Sequence, residues 1–346
     1  MKGKFLLKVN GQYYGYSYLP AWGWSVRAWQ QIGSVWLLIG ATAANADGTW
    51  DLNFIAPPFP GFKVRIEYQP ANRFVQVQDS NANVYTWGNS LDYTAPLTDV
   101  GTRNADLTNN GDAPGIDRIY QASSALWRRF NADGMNPVRD NPIEITFPNS
   151  STDPCPQVDA NNMPIPWSCS DSNNGKIWLI PKHAKAGVVQ HELAHSIHSY
   201  YWDGNMPSGG GIQHKLNKCY NDGLALTEGF ANFVAYWVQF ERDNPGPVEA
   251  SLNYNIEKPP SNFCKASSNE GRVSAAFWDA YDTHDDGVAP ISDSWNIFHH
   301  GAAVGTFLNN PGHNSMKEYW PVYISILGGN SFLTVFDSFS LNWILP

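Results

Sequence analysis

His191, Glu192 and His195 fall in the stretch VVQHELAHSIHSYYW, residues 188–202, in the order H-E-x-x-H. On a helix of about 100° per residue, side chains at i and i+4 stand roughly 5 to 6 Å apart, so two imidazoles can bind one ion from a single turn. Glu192 lies one residue on, placed to reach an ion-bound water without being a ligand. That is the chemical sense of the spacing: imidazoles hold zinc, zinc lowers the pKa of its water towards about 7, and the carboxylate takes the proton. His191, His195 and His198 fall within about 60° of one another, whereas Val189, Leu193, Ile197 and Tyr200 occupy the opposite side. One face is imidazole and the other is apolar. H-E-x-x-H also arises in helices that bind no metal, but the apolar opposing face and the strand upstream favour the metal-binding reading.

A third protein ligand is not set by this stretch. A metzincin continues H-E-x-x-H-x-x-G-x-x-H, and here His198 stands where glycine is required and Tyr201 where histidine is required, which excludes that family. Residues 226–237, LTEGFANFVAYW, put Glu228 on an apolar helical pattern that strongly resembles the glutamate helix of the gluzincins, especially the aminopeptidase-N-like ones. The resemblance implies a His2Glu zinc site, with His191, His195 and Glu228 as ligands and Glu192 as general base. His198 and His214 stay open as rival third ligands. The gap from His195 to Glu228 is longer than in aminopeptidase-N-like enzymes, and no G-x-M-E-N segment is present to grip a free amine. An endopeptidase is therefore expected rather than an exopeptidase.

Asn232 lies four residues after Glu228, where thermolysin-like gluzincins carry an aspartate. It reads either as an acceptor for the free N–H of a ligand histidine or as an exposed helix residue. The gluzincin order places a transition-state donor within NEGRVSAAFWDAYDTHDDG, residues 269–287. Arg272 resembles the electrophilic histidine of thermolysin-like and fungalysin-like enzymes in position, and Tyr281 resembles the aminopeptidase-N-like tyrosine in order. Arg272 is the first choice and His284 follows these two. Calcium is a second candidate ion, on Asp279, Asp282, Asp285 and Asp286 or on DLTNNGD at 106–112; neither has EF-hand spacing, and solvated turns are the alternative. The glycine-rich stretch 204–223 is a candidate flap over the cleft.

The elements that must position these residues change character near residue 95. Before it, short apolar and aromatic runs alternate with turn residues: KFLLKV, QYYGYSYL, SVWLLIGA, GTWDLNF, FKVRIEYQ, FVQVQD and NVYTWG. In FKVRIEYQ, Phe62, Val64, Ile66 and Tyr68 alternate with Lys63, Arg65, Glu67 and Gln69, which predicts a strand with one buried face. Such runs predict an antiparallel β-sandwich, and ADGTWDLNF with GFKVRIEY resembles transthyretin-like or carboxypeptidase-regulatory-like modules. Trp22, Trp24, Trp29, Trp36, Trp50 and Trp87 either fill its core or stack on sugar rings. Residues 96–111 read as a linker. Then GIDRIYQASSALWRRF carries Ile116, Ile119, Tyr120, Ser123, Leu126, Trp127 and Phe130 at helical spacing, and IEITFP and KIWLIP read as strands ahead of the H-E-x-x-H helix. KIWLIP is expected to pair with an extended substrate.

The chain of 346 residues is 42% hydrophobic and 14% aromatic, enough for one large or two ordinary cores. A net charge of -9 with only 22 Lys and Arg leaves no basic surface for nucleic acid or an anionic membrane. No run reaches the roughly 20 apolar residues of a membrane span, and MKGKFLLKVNGQYYGY is too short in apolar residues for a secretory signal. Either a cytosolic protein or one whose leader was removed fits that start. Cysteines at 155, 169, 219 and 264 form no C-x-x-C pair. Their even number fits two disulfides, and neighbour pairing gives Cys155 to Cys169 and Cys219 to Cys264, one of three connectivities; four buried thiols are the alternative.

The expectation is an α+β chain: a β-sandwich over 1–95, a linker over 96–111 and a zinc metallopeptidase domain over 112–346. Its function is expected to be secreted, zinc-dependent endoproteolysis of protein or peptide substrates, glycoproteins among them. A carbohydrate-binding or adhesive protein with a structural or vestigial zinc site is the alternative, favoured by the aromatic first domain and opposed by Glu192.

Overall fold

The computed structural model describes residues 1–8, 18–53, 62–93, 99–106, 113–155, 157–159, 161–207, 214–242, 244, 246–257, 259–264, 267–282 and 302–326. The chain divides into two compact units, Met1–Ser124 with Val138–Asn149, and Ala125–Pro137 with Ser150–Pro346.

The first unit contains β1 (Lys2–Lys8), β2 (Tyr18–Pro20), β3 (Ser25–Ile32), β4 (Val35–Ala43), β5 (Thr49–Asp51), β6 (Phe62–Gln69), β7 (Val75–Gln78), β8 (Trp87–Tyr93) and β9 (Asp99–Asp106). It also takes in the first part of α1 (Ala113–Ala132) and β10 (Ile143–Thr146). One antiparallel sheet runs β4-β3-β6-β8. In the other, β1 pairs antiparallel with β2 through residues 6–8 and with β5 through residues 2–4, while β9 runs parallel to β1. Phe5 of β1 stacks on Tyr68 of β6 at 3.8 Å, and Trp50 of β5 meets the same tyrosine ring at 6.3 Å. The two sheets thus share one aromatic core.

The alternation in β6 is present for Val64, Ile66 and Tyr68, which are buried. Glu67 and Gln69 on the opposite face are buried too, each with a partner: Glu67 pairs with Arg65 at 2.7 Å and Gln69 donates to Thr86 at 2.9 Å. FVQVQD forms β7, but pairs in parallel with β10 rather than joining either sandwich sheet. Residues 99–106 of the segment read as a linker form β9. Strand pairing uses backbone groups, so a polar sequence takes the free edge of β1 without an apolar alternation. Most of QYYGYSYL lies outside the described residues. Trp24 and Trp50 belong to the core, Trp29, Trp36 and Trp87 are half-buried, and Trp22 is 38% exposed.

In α1, Ile116, Ile119, Tyr120, Ser123, Leu126 and Phe130 are buried, as their spacing predicts. The Tyr120 hydroxyl donates to the Gly23 carbonyl, and Gly23 holds a φ of +76° that a side chain would resist.

The second unit takes in the rest of α1, then β11 (Gln157–Val158), β12 (Pro164–Ile165), β13 (Cys169–Asp171), β14 (Lys176–Trp178), α2 (Ala186–Tyr201), α3 (Asp222–Gln239), α4 (Glu270–Asp279), α5 (Ala302–Leu308) and α6 (Met316–Ile326). Helix α3 is buried almost all round and packs against both α2 and α4. An added Cβ on Gly229 would sit 2.6 Å from Val273 Cβ, so glycine there is what lets α4 close on α3. Asn221 and Asn269 cap α3 and α4, each accepting from a backbone N–H three residues on. Disulfides join Cys155 to Cys169 and Cys219 to Cys264, the neighbour pairing. No helix among the described residues is long and apolar enough to cross a membrane.

Candidate metal centre and cleft

Helix α2 buries Val189, Leu193 and Ile197 and turns His191, Glu192 and His195 towards a cleft of about 670 Å³. Tyr200, in its last turn, is 43% exposed rather than part of the apolar face, because that turn runs out beyond the core. Helix α3 brings Glu228 to the same place. His191 Nε2 and His195 Nε2 lie 3.1 Å apart, and Glu228 Oε2 lies 3.1 Å from the first and 3.3 Å from the second. Donors at 2.0 to 2.1 Å from a tetrahedral ion are about 3.3 Å from one another. The triangle of two imidazoles and one carboxylate therefore has the size and chemistry of three zinc ligands, and all three residues line the cleft.

The electrostatics follow from this crowding. Burial pulls the His191 imidazole down, but contact with Glu228 and the charges of Glu228 and Glu192 outweigh it and raise its pKa. Burial pushes the Glu228 carboxyl up, yet the charge of His195 and the contacts with His191 and His195 take it well below the usual range. Glu192 lines the cleft beside the triangle and belongs to no metal grouping among the described residues.

Of the rival ligands, His198 is fully buried in an aromatic box, with ring centroids 4.2 Å from Trp202, 4.8 Å from Phe307 and 5.3 Å from Phe230. Burial and then the charge of His195 push its pKa well below normal, so it is a neutral core residue. His214 does reach the cleft. Its Nε2 is 3.4 Å from Glu228 Oε2 and its Nδ1 is 2.6 Å from Glu270 Oε2. His214, Glu228 and Glu270 form a second grouping that shares Glu228 with the first without merging into it. Burial lowers the His214 pKa, but the contact with Glu270 and the charges of Glu228 and Glu270 raise it to about 9.

Asn232 is 1% exposed, which removes the exposed-helix reading. Its Oδ1 and His191 Nδ1 are both buried and make no hydrogen bond among the described residues.

The structure does not bring Arg272 or Tyr281 to the cleft lining. Arg272 is 4% exposed and donates through Nε to the Cys264 carbonyl at 2.9 Å and through a terminal nitrogen to the Phe263 carbonyl at 3.5 Å. The guanidinium is thereby spent on the backbone beside the Cys219–Cys264 bridge. Tyr281 is fully buried against Trp278 and Phe233, its hydroxyl contacting Arg129. The element order behind both expectations says which helix comes next, not which of its sides faces the cleft.

The strand along the cleft is β13, not the KIWLIP strand β14: residues 168–173 line it, whereas β14 contributes Trp178. β13 ends its sheet and pairs antiparallel with β14. Both cysteines of the Cys155–Cys169 bridge also line the cleft. His284, Asp285, Asp286, residues 107–112 and 208–213 lie outside the described residues, as do the side chains of Asp106 and Asp279; Asp282 is buried and belongs to no metal grouping among those described.

Residues 160–323 match the family model described as the mycolysin C-terminal domain, a span that includes α2, α3, α4 and the segment carrying His214, and so every side chain of both groupings. No curated protein matches the chain. Among solved structures, a 9R-lipoxygenase from Cyanothece PCC8801 is similar over 88% of this chain and 60% of its own length, at 10% identity. Its TM-score of 0.19 is too low to bear on the fold.

Proposed function

We propose that this chain is a secreted zinc endopeptidase, with His191, His195 and Glu228 holding the ion and Glu192 acting as general base. The observation that carries this reading is the triangle of donors at 3.1 to 3.3 Å with a free carboxylate beside it in an open cleft. Mycolysin is a zinc metalloprotease family, and the matched span contains all four residues. Zinc, when bound, polarises the scissile carbonyl and makes the attacking water acidic enough to be deprotonated near neutral pH.

The chain's own residues do the rest. Glu192 takes the proton from the water and returns it to the leaving amine, a shuttle that needs a carboxylate near the ion but not on it. The backbone of β13 offers an extended substrate a strand to pair with, and Trp167, Trp178, Met206 and Leu224 supply apolar contacts for its side chains. Two disulfides suit an oxidising compartment and support secretion. Protein and peptide substrates, glycoproteins included, fit an open cleft of this volume.

Zinc analysis together with cleavage of an unstructured protein tests the reading. One zinc per chain is expected, with cleavage that a chelator abolishes and added zinc restores. Zinc-loaded protein that cleaves nothing would overturn it.

A further inference from the structure

His214 stands in the cleft with no place in the zinc triangle. Its ring is held between two carboxylates, Glu228 at Nε2 and Glu270 at Nδ1. Glu270 is 3% exposed, in the first turn of α4. The segment carrying His214 is tied down from several directions. Asn269 Nδ2 donates to the Leu216 and Lys218 carbonyls, both at 2.8 Å, and the Tyr220 N–H donates to Ser268 at 2.9 Å. Cys219 is bonded to Cys264, whose carbonyl Arg272 holds. The same asparagine also caps α4 through Arg272 N–H, so the helix that presents Glu270 and the segment that presents His214 are locked together by one side chain.

We propose that His214 is the donor that meets the carbonyl oxygen of the scissile bond as that oxygen gains negative charge, with Glu270 as the residue that positions the imidazole. This rests on the peptidase reading above. The cleft lining among the described residues includes no Lys, Arg or Tyr, and its other histidines are the two zinc ligands. Among the described residues of the cleft lining, His214 is therefore the imidazole beside the triangle that is not one of the two ligands, and it comes from a separate, pinned segment. A donor fixed in advance of reaction is what stabilises developing charge most effectively. A second ion on His214, Glu228 and Glu270 is the competing use of these groups, and the zinc count of the wild type and the His214 variant decides between the two.

The test uses zinc-loaded full-length protein. His214→Ala and His214→Gln are expected to hold one zinc and stay folded, melting lower than wild type because buried Glu270 loses this partner, while kcat falls about 10² to 10³-fold and KM changes little. Affinity for a peptide phosphonate, whose tetrahedral anion mimics the charged state, should fall by a similar factor, and affinity for a product dipeptide should not. Glu270→Ala should approach the His214 variants in kcat, and Glu270→Gln should recover part of the loss. Wild-type kcat and phosphonate affinity in a zinc-bearing His214→Gln protein would overturn the assignment. So would two zincs in wild type falling to one in that variant, which would establish the second ion instead. Zinc-loaded wild type that cleaves no peptide would remove the peptidase reading, and the donor role with it.

Discussion

His191 Nε2 and Glu228 Oε2 lie 3.1 Å apart, one carried by α2 and the other by the buried helix α3. This contact ties a local sequence pattern to a residue far along the chain, and the proposed metal centre depends on it. Glu228→Ala is accordingly expected to lower zinc affinity by at least tenfold and to destabilise the zinc-bound form in proportion. Zinc titration by calorimetry checks this. Unchanged affinity in Glu228→Ala, with loss in His214→Ala, would show that the third ligand is His214.

Gly229 gives a prediction whose sign is informative. Glycine to alanine inside a helix ordinarily stabilises by about 0.5 to 1 kcal/mol. Here the new Cβ would sit 2.6 Å from Val273 Cβ and 2.9 Å from the Glu270 carbonyl, so α4 must move. Gly229→Ala is expected to destabilise by about 1 to 3 kcal/mol, measured by denaturant unfolding of the metal-free protein. A stabilised variant would contradict the close packing of α3 on α4.

Some of the site was legible from sequence and some was not, for physical reasons. H-E-x-x-H is a single-turn pattern, so spacing alone puts His191 and His195 together. Glu228 is legible only through the resemblance of EGFA to a known helix, because nothing in its spacing reveals that α3 packs against α2. His214 is legible as a possible ligand but not as Glu270's partner, since its place depends on contacts with Asn269, Cys264 and Glu270 far along the chain. Arg272 is the first-choice donor by its position in the gluzincin order, which carries no information on its backbone partners. Its carbonyl partners at 263 and 264 come from an irregular segment with no periodicity to read. In the first unit, β9 is not legible because DVGTRNAD has no apolar alternation, and its pairing with β1 is a matter of backbone.

Tyr281, buried with its hydroxyl on Arg129, should behave as a packing residue. Tyr281→Phe is expected to cost about 0.5 to 1.5 kcal/mol of stability through the lost hydrogen bond and to leave kcat within about twofold. Steady-state kinetics at intact zinc content decides the point. A hundredfold fall in kcat would restore Tyr281 as the donor.

Stability should decline on the acid side. His198 is held neutral by burial, and burial with the charges of Lys182 and Lys185 takes His183 down to about 4. In the unfolded chain both take up protons below about pH 6.5, where the folded protein resists doing so. The unfolded state then binds more protons, and stability falls as pH drops from about 6.5 towards the folded values. His198→Phe, which keeps an aromatic ring against Trp202, Phe230 and Phe307, should flatten this acid limb. Melting curves of metal-free wild type and variant from pH 5 to 8 make the comparison, and parallel curves would remove His198 from the account.

The central claim separates holding the ion from moving the proton, and Glu192→Gln tests it most directly. Bound zinc and peptide hydrolysis should be measured on the same preparation. The account predicts one zinc per chain, as in wild type, with hydrolysis reduced by about 10² or more. A Glu192→Gln protein that holds its zinc and still cleaves at near the wild-type rate would contradict it.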